Sequence, residues 1–242
     1  MNRFELLPCG DTAVSVQVGS EIDRDTCQNV LALKAIVDET NIPGVIETVP
    51  SYRALLVHYN PLEIRQRTLA DRLHEITESP AAVEIRPRHW QIPICFDKIF
   101  GLDIIEVSER VDKPVKTVIE DFTATRFFVY MVGFFMGHLY MGDLPDYMKV
   151  LSRRQSPRLR LEKGSVCTAQ GLAVIHSIAS PGGWNSIGRT PVPLFEISST
   201  PPARFAAGDL ITFFDIDKKT FDELEKLVTA NTYQPVYTEV QE

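Results

Sequence analysis

The chain has 242 residues, 44% of them hydrophobic and 24% charged, enough for one large domain or two small ones with true cores. A net charge of −7, from 32 acidic and 25 basic residues, excludes general nucleic-acid binding, which needs a basic face to neutralise phosphates. No apolar run is long enough for a transmembrane helix, and the start Met1-Asn2-Arg3-Phe4-Glu5 lacks a signal-peptide pattern, so the expected location is the cytoplasm, away from any membrane.

The first part of the chain reads as alternating strand and helix. Ala13–Val18 is strand-like. Ser20 and Asp23 offer helix-start chemistry, and the helix runs to about Glu39 with Val30, Leu33 and Val37 on one face. Asn41-Ile42-Pro43-Gly44 stops it. Val45–Val49 and Ala54–Tyr59 are predicted strands on either side of a corner at Pro50-Ser51-Tyr52. Asn60-Pro61-Leu62-Glu63 predicts a capped helix start, continued by an apolar stripe of Leu62, Leu69, Leu73 and Ile76. This β-α-β-β-α order fits a small sandwich of two helices on one sheet. A domain boundary is expected near residues 79–91, dividing the chain into 1–85 and 86–242.

Downstream, Ile92–Phe96 predicts a strand and Leu102–Val111 a helix. Asp112 and Pro114 open a second short helix carrying Val115, Val118, Ile119 and Phe122, and Arg126–Val132 is strand-like. From there to about Asp215, short strands separated by glycine–proline turns suggest a β-barrel. Phe221, Leu224 and Leu227 give Lys218–Ala230 a helical period, and the polar residues after it are expected to be loose.

Two stretches carry chemistry. Residues 130–145 mix glycines, aromatics and methionines with no clean period. Residues 180–190, Ser-Pro-Gly-Gly-Trp-Asn-Ser-Ile-Gly-Arg-Thr, read as a shaped binding loop. Gly182, Gly183 and Gly188 set its backbone. Trp184 would stack on a ligand, anchor a partner or close the core. Arg189 would hold a ligand or partner, or pin the loop through an ion pair. Arg153, Arg154 and Arg158 would clamp a phosphate or carboxylate, or form a solvated basic turn. Asp143 suits a turn. No standard nucleotide-binding, nucleophile-elbow or zinc-peptidase motif is present. Cys9, Cys27, Cys95 and Cys167 form no Cys-x-x-Cys pair and read as small buried residues, and no metal site is expected.

The order of these pieces resembles the family of the 5-oxoprolinase B subunit, also described as allophanate hydrolase subunit 1 and the sporulation-kinase inhibitor family, a carboxyltransferase C/D subdomain. The matching residues are Gly10-Asp11-Thr12-Ala13, Pro50-Ser51-Tyr52-Arg53, Ile92-Pro93-Ile94-Cys95-Phe96, Val132-Gly133-Phe134 through Leu144-Pro145, Pro157-Arg158, Gly164-Ser165-Val166 and Ser180 through Thr190. The family usually reads Gly-Phe-x-Pro-Gly-Phe-x-Tyr where this chain has Gly133-Phe134-Phe135-Met136-Gly137-His138-Leu139-Tyr140. It usually reads Gln-Thr-Gly-Ile-Tyr at Leu172-Ala173-Val174-Ile175-His176.

The resemblance implies an α+β fold, with an N-terminal ferredoxin-like lobe and a cyclophilin-like β-barrel domain. It implies one subunit of an ATP-dependent amide or lactam hydrolase, with 5-oxoprolinase (5-oxoproline to glutamate) first and allophanate hydrolase subunit 1 or a histidine-kinase inhibitor module as alternatives. ATP with its Mg2+ would be shared with a C-type partner subunit, and a third subunit would complete hydrolysis. Ser180, Gly182, Gly183, Trp184, Arg189 and Thr190, with Arg153, Arg154 and Arg158, are the expected substrate, ATP or partner contacts. His138 and His176, standing where the family has aromatics, would act as general acid and base or as polar aromatics hydrogen-bonded in the core.

Overall fold

The computed structural model describes residues 4–78 and 87–240, and the chain divides into two units, Met1–Arg86 and Pro87–Glu242. The expected boundary between 85 and 86 falls outside the described residues. The architecture is mixed α/β with sheets.

The first unit comprises β1 (Glu5–Pro8), β2 (Ala13–Gln17), α1 (Arg24–Thr40), β3 (Val45–Pro50), β4 (Ala54–Tyr59) and α2 (Gln66–Glu78). Asp23 starts α1, as its carboxylate accepts from the Thr26 amide at 2.8 Å and the Thr26 hydroxyl at 2.7 Å. Asn41 ends the helix in the left-handed region with φ +48°. The sheet is antiparallel in the order β1-β2-β4-β3, so β4 lies between two strands joined by α1. Val30, Leu33 and Val37 of α1 pack with Leu55, Val57, Leu69 and Leu73 in one buried cluster.

The helix predicted from Asn60 begins only at Gln66. Asn60 uses its capping groups within a single turn: Oδ1 accepts from the Leu62 amide at 3.1 Å and Nδ2 donates to Glu63 at 2.7 Å. Leu62 is 93% exposed and leaves the predicted stripe. Ile64 is buried in its place, directly over Gly44, where an added Cβ would lie 2.6 Å from the Ile64 side chain.

The second unit runs through β5 (Arg88–Ile94), α3 (Ile104–Arg110), α4 (Val115–Ala124), β6 (Arg126–Val132), β7 (Leu139–Gly142) and α5 (Asp146–Lys149). It continues with β8 (Arg158–Leu161), β9 (Ser165–Ala169), β10 (Leu172–Ile175), β11 (Ser180–Gly182), β12 (Asn185–Arg189), β13 (Leu210–Asp215), α6 (Lys218–Thr229) and β14 (Val236–Glu239). Eight strands make one sheet in the order β12-β9-β10-β7-β6-β13-β5-β14, and β8 and β11 form a separate ribbon. Only the β5–β13 ladder is parallel among those described. Phe122 of α4 stacks near Phe127 of β6 (4.7 Å) and Phe213 of β13 (5.3 Å) in the core. Burial of each such ring contributes about 2–3 kcal/mol.

The β-barrel expectation is met only as a curled sheet. Cys95, just beyond β5, exchanges two backbone hydrogen bonds with Arg189 of β12, at 2.9 and 3.0 Å. This one residue pair stands where a closed barrel would have a ladder. The reason is β14, which takes the outer edge of β5 from Arg88 to Gln91. The chain end expected to be loose thus forms a strand, fastened by the Tyr237 ring 4.5 Å from that of Trp90. Buried Asp209 fixes the same corner, accepting from Arg88 Nη2 at 2.7 Å and Trp90 Nε1 at 2.9 Å. Asp112 sits at φ +50° in the turn between α3 and α4, and Pro114 occupies the N-cap of α4. Cys27, Cys95 and Cys167 are buried, whereas Cys9 is exposed.

Candidate functional site

Two histidines face each other where the β7–β10 ladder ends. The register pairs Val174 with Tyr140 and Ile175 with Leu139, so the next residues outward are His176 and His138. Directly opposed residues in an antiparallel pair bring their side chains together, and here the ring centroids are 4.8 Å apart. Both residues are buried.

A serine orients each ring. Ser177 Oγ lies 2.8 Å from His138 Nδ1, and the Ser177 amide donates to the same nitrogen at 3.3 Å. That amide bond makes Nδ1 an acceptor and assigns the proton of the neutral ring to Nε2. His138 Nε2 is buried and has no hydrogen-bond partner among the described residues. Ser180 Oγ lies 3.1 Å from His176 Nδ1.

Burial pushes His138 down to about 4, and burial with the neighbouring His138 pushes His176 down to about 4. At neutral pH both rings are uncharged. They are then hydrogen-bonding groups, and weak proton donors or acceptors for catalysis.

The surroundings follow from tight backbone turns. Gly133 N donates to His138 O at 3.0 Å and His138 N to Phe135 O at 3.1 Å, closing the 133–138 turn. Phe134 (φ +69°) and Gly137 (φ +76°) both adopt left-handed conformations there. Phe134 is 82% exposed and Met136 60%, while the Phe135 ring lies 5.1 Å from that of His138. On the other side, Gly164 N donates to His176 O at 2.7 Å and Thr190 N donates to Gly164 O at 2.9 Å. A Cβ on Gly182 would lie 3.3 Å from the His176 ring, so that glycine backs onto the pair.

The remaining expected contacts lie in separate places. Trp184 packs with Tyr140 (6.0 Å) against Leu161, Cys167 and Val174, and the Arg153 guanidinium sits 5.9 Å over its ring. Gly183 O accepts from Arg154 N at 2.7 Å. Arg154 and Arg158 both turn to Asp103: Arg154 Nη1 donates to Oδ1, and Arg158 donates through two nitrogens at 2.7 Å each. Asp103 also accepts from Ser186 N at 2.8 Å. Arg189 donates to Lys163 O at 2.8 Å, pairs with Glu225 at 3.2 Å and stacks over Phe100 and Phe221. Thr190 is buried and its hydroxyl accepts from Val192 N at 3.2 Å.

Of the expected site residues, then, His138, His176, Ser180 and Gly182 come together. Arg154 and Arg158 gather around a carboxylate instead. Sequence reading missed Ser177 and Asp103. Asp103 lies inside the predicted Leu102–Val111 helix and stands at the N-cap of α3, yet its side chain makes no cap bond. Ser177 gave no signal, because only the ladder register brings it to His138.

A triphosphate needs several uncommitted cations. Arg154 pairs with Asp103 and Glu106, Arg158 with Asp103 and Arg189 with Glu225, which leaves exposed Arg153 as the expected arginine with no acidic partner among the described residues. These residues do not fit ATP by themselves. Among the described residues no group of three or more His, Cys, Asp or Glu could hold a metal ion, and no helix is long and apolar enough to cross a membrane.

Comparison with known proteins gives this geometry a context. The family model for the carboxyltransferase domain, subdomain C and D, matches residues 4–205. The chain is 32% identical over 233 residues to the 5-oxoprolinase B subunit of Bacillus subtilis (strain 168), covering 90% of this chain and 95% of that protein. It is 28% identical over 214 residues to the 5-oxoprolinase B subunit of Escherichia coli O157:H7, covering 88% and 96%. In fold, it is similar to the crystal structure of the K. lactis urea amidolyase, with a TM-score of 0.81 at 17% identity, covering 98% of this chain and 16% of that one.

Proposed function

The chain belongs to the carboxyltransferase family of subdomains C and D, and from that premise we propose that it is the B subunit of a cytoplasmic, ATP-dependent amide or lactam hydrolase, 5-oxoprolinase first. The observation that carries this reading is the 32% identity to a 5-oxoprolinase B subunit along 90% of the chain. In fold terms the reading treats the first unit as a ferredoxin-like lobe and the second as a cyclophilin-like domain with its curled sheet as an opened barrel.

The substrate end of the site is the His138–His176 pair with Ser177 and Ser180, an uncharged, hydrogen-bonding environment that suits a neutral amide better than a phosphate. ATP and Mg2+ belong to a site that a C-type partner subunit completes, because the arginines here are largely committed to Asp103, Glu106 and Glu225. The exposed Phe134 and Met136 beside the histidines supply an apolar surface for that partner. A third subunit would complete ring hydrolysis. Allophanate or another amide is the second substrate reading, favoured by the histidines themselves, since polar rings at 138 and 176 change what the pocket can hydrogen-bond.

Co-purification tests the assembly: the chain expressed with the product of the neighbouring partner gene is expected to elute as one stable complex. Separate elution of two folded proteins would overturn the subunit reading and favour the kinase-inhibitor module.

A further inference from the structure

Most buried polar atoms find partners, and an unmet buried donor costs about 1–3 kcal/mol. His138 Nε2 is such a donor. Its orientation is fixed, because Ser177 engages Nδ1 through both its hydroxyl and its amide, which holds the ring and keeps the proton on Nε2. No cation stands beside it in the contacts described: its neighbours are His176, Ser177 and the Phe135 ring. An anion placed on Nε2 would be buried without a counter-charge, at a cost of several kcal/mol. A neutral carbonyl oxygen would meet the donor at no such cost.

Phe135, itself 36% exposed, lies beside the ring on a turn whose other side chains, Phe134 and Met136, are exposed and whose backbone is left-handed at Phe134 and Gly137. Gly137 is buried against Phe195 and anchors the turn, whereas the exposed tip at 134–136 belongs to the more readily opened part of a structure.

We propose that the His138 Nε2–H binds the carbonyl oxygen of an amide or lactam, reached when the 134–136 tip of the turn swings aside. Resting on the amide-hydrolase reading above, this assigns the polarity of the ligand: its amide end faces the two histidines, and any carboxylate it carries points away from them. Phe135 is the cover of the site in the unliganded chain.

The test uses the full chain with 15N-labelled histidine and three probes. 2-Pyrrolidinone is a lactam without a carboxylate, 5-oxoproline has both groups, and proline keeps the ring and carboxylate but lacks the lactam oxygen. The expected result is a shift of the His138 Nε2–H resonance with 2-pyrrolidinone and 5-oxoproline and none with proline. In the partner complex, His138→Phe is expected to raise the KM for 5-oxoproline about tenfold, the worth of one hydrogen bond, and His138→Gln, which keeps a donor, to recover most of it. Proline shifting the resonance as strongly as 2-pyrrolidinone, or His138→Phe keeping the wild-type KM, overturns the proposal. Lactam-stimulated ATP hydrolysis with an unmoved Nε2 would refute this assignment and leave the subunit reading intact. A moved Nε2 without such stimulation would uphold the amide site and refute 5-oxoproline as substrate.

Discussion

Replacing Asp103 with asparagine should unfold the corner that the expected arginine clamp belongs to. The Asp103 side chain is 1% exposed, and its two oxygens receive Arg154, both donors of Arg158 and the Ser186 amide. An asparagine at that position would keep one acceptor, but it would turn two N–H donors toward guanidinium groups that have only donors to offer. Removing one partner of a buried ion pair costs about 3–5 kcal/mol, because the charges left behind stay desolvated. Here the arginines are 22% and 24% exposed, so partial hydration places the expected loss near the lower bound, about 3 kcal/mol. Arg158→Met should cost less, about 1–2 kcal/mol, as Asp103 keeps Arg154 and the Ser186 amide. Urea unfolding of the two single variants and the double variant measures the coupling, expected at about 1–3 kcal/mol. A loss under about 1 kcal/mol for Asp103→Asn would refute the structural role and return Arg154 and Arg158 to the pool of ligand contacts.

The histidine pair predicts an acid-sensitive fold. Each ring titrates near 6.5 when unfolded and near 4 when folded, so the unfolded chain binds more protons between those values. Stability should therefore be complete above pH 6.5, fall as the pH drops towards 4 and level off below, by up to ~3 kcal/mol per ring. Urea midpoints between pH 4 and 8 would show it, and a His138→Phe, His176→Phe variant with an unchanged slope would contradict it. Gly164→Ala should destabilise by about 2–4 kcal/mol, since φ is +83° and the new methyl would lie 2.1 Å from the Thr190 carbonyl oxygen; an unaltered thermal midpoint would count against the 164–190 contact. Phe134→Ser with Met136→Ser should leave chain stability within ~0.5 kcal/mol while weakening the partner complex at least tenfold by titration; unchanged affinity would exclude this turn from the interface.

Local signals in the sequence carried much of the fold. Asp23 with Thr26 and Asp217 with Thr220 are caps whose groups lie within three residues, so their helices begin where the sequence places them. Asn60 carries an equally good local signal and misleads, because the buried position of Ile64 over Gly44 decides where the chain turns. Val236–Glu239 looks like a polar tail, and only the free edge of β5 and the ring of Trp90 make it a strand. The candidate site shows the same division. His138 and His176 stood out as polar rings where the resembled family has aromatics, but their meeting depends on the β7–β10 register, which joins segments far apart in the chain. The arginines were legible as a cluster, whereas their acceptor, Asp103, lies 51 residues before Arg154 and 55 before Arg158, inside a segment predicted as helix.

The most direct measurement is ATP hydrolysis by this chain co-purified with its C-type partner, with and without 5-oxoproline. The account predicts that the lactam stimulates turnover several-fold in the complex and that neither subunit responds to it alone. A stable complex whose ATP turnover is indifferent to 5-oxoproline would contradict the assignment of that lactam as the substrate.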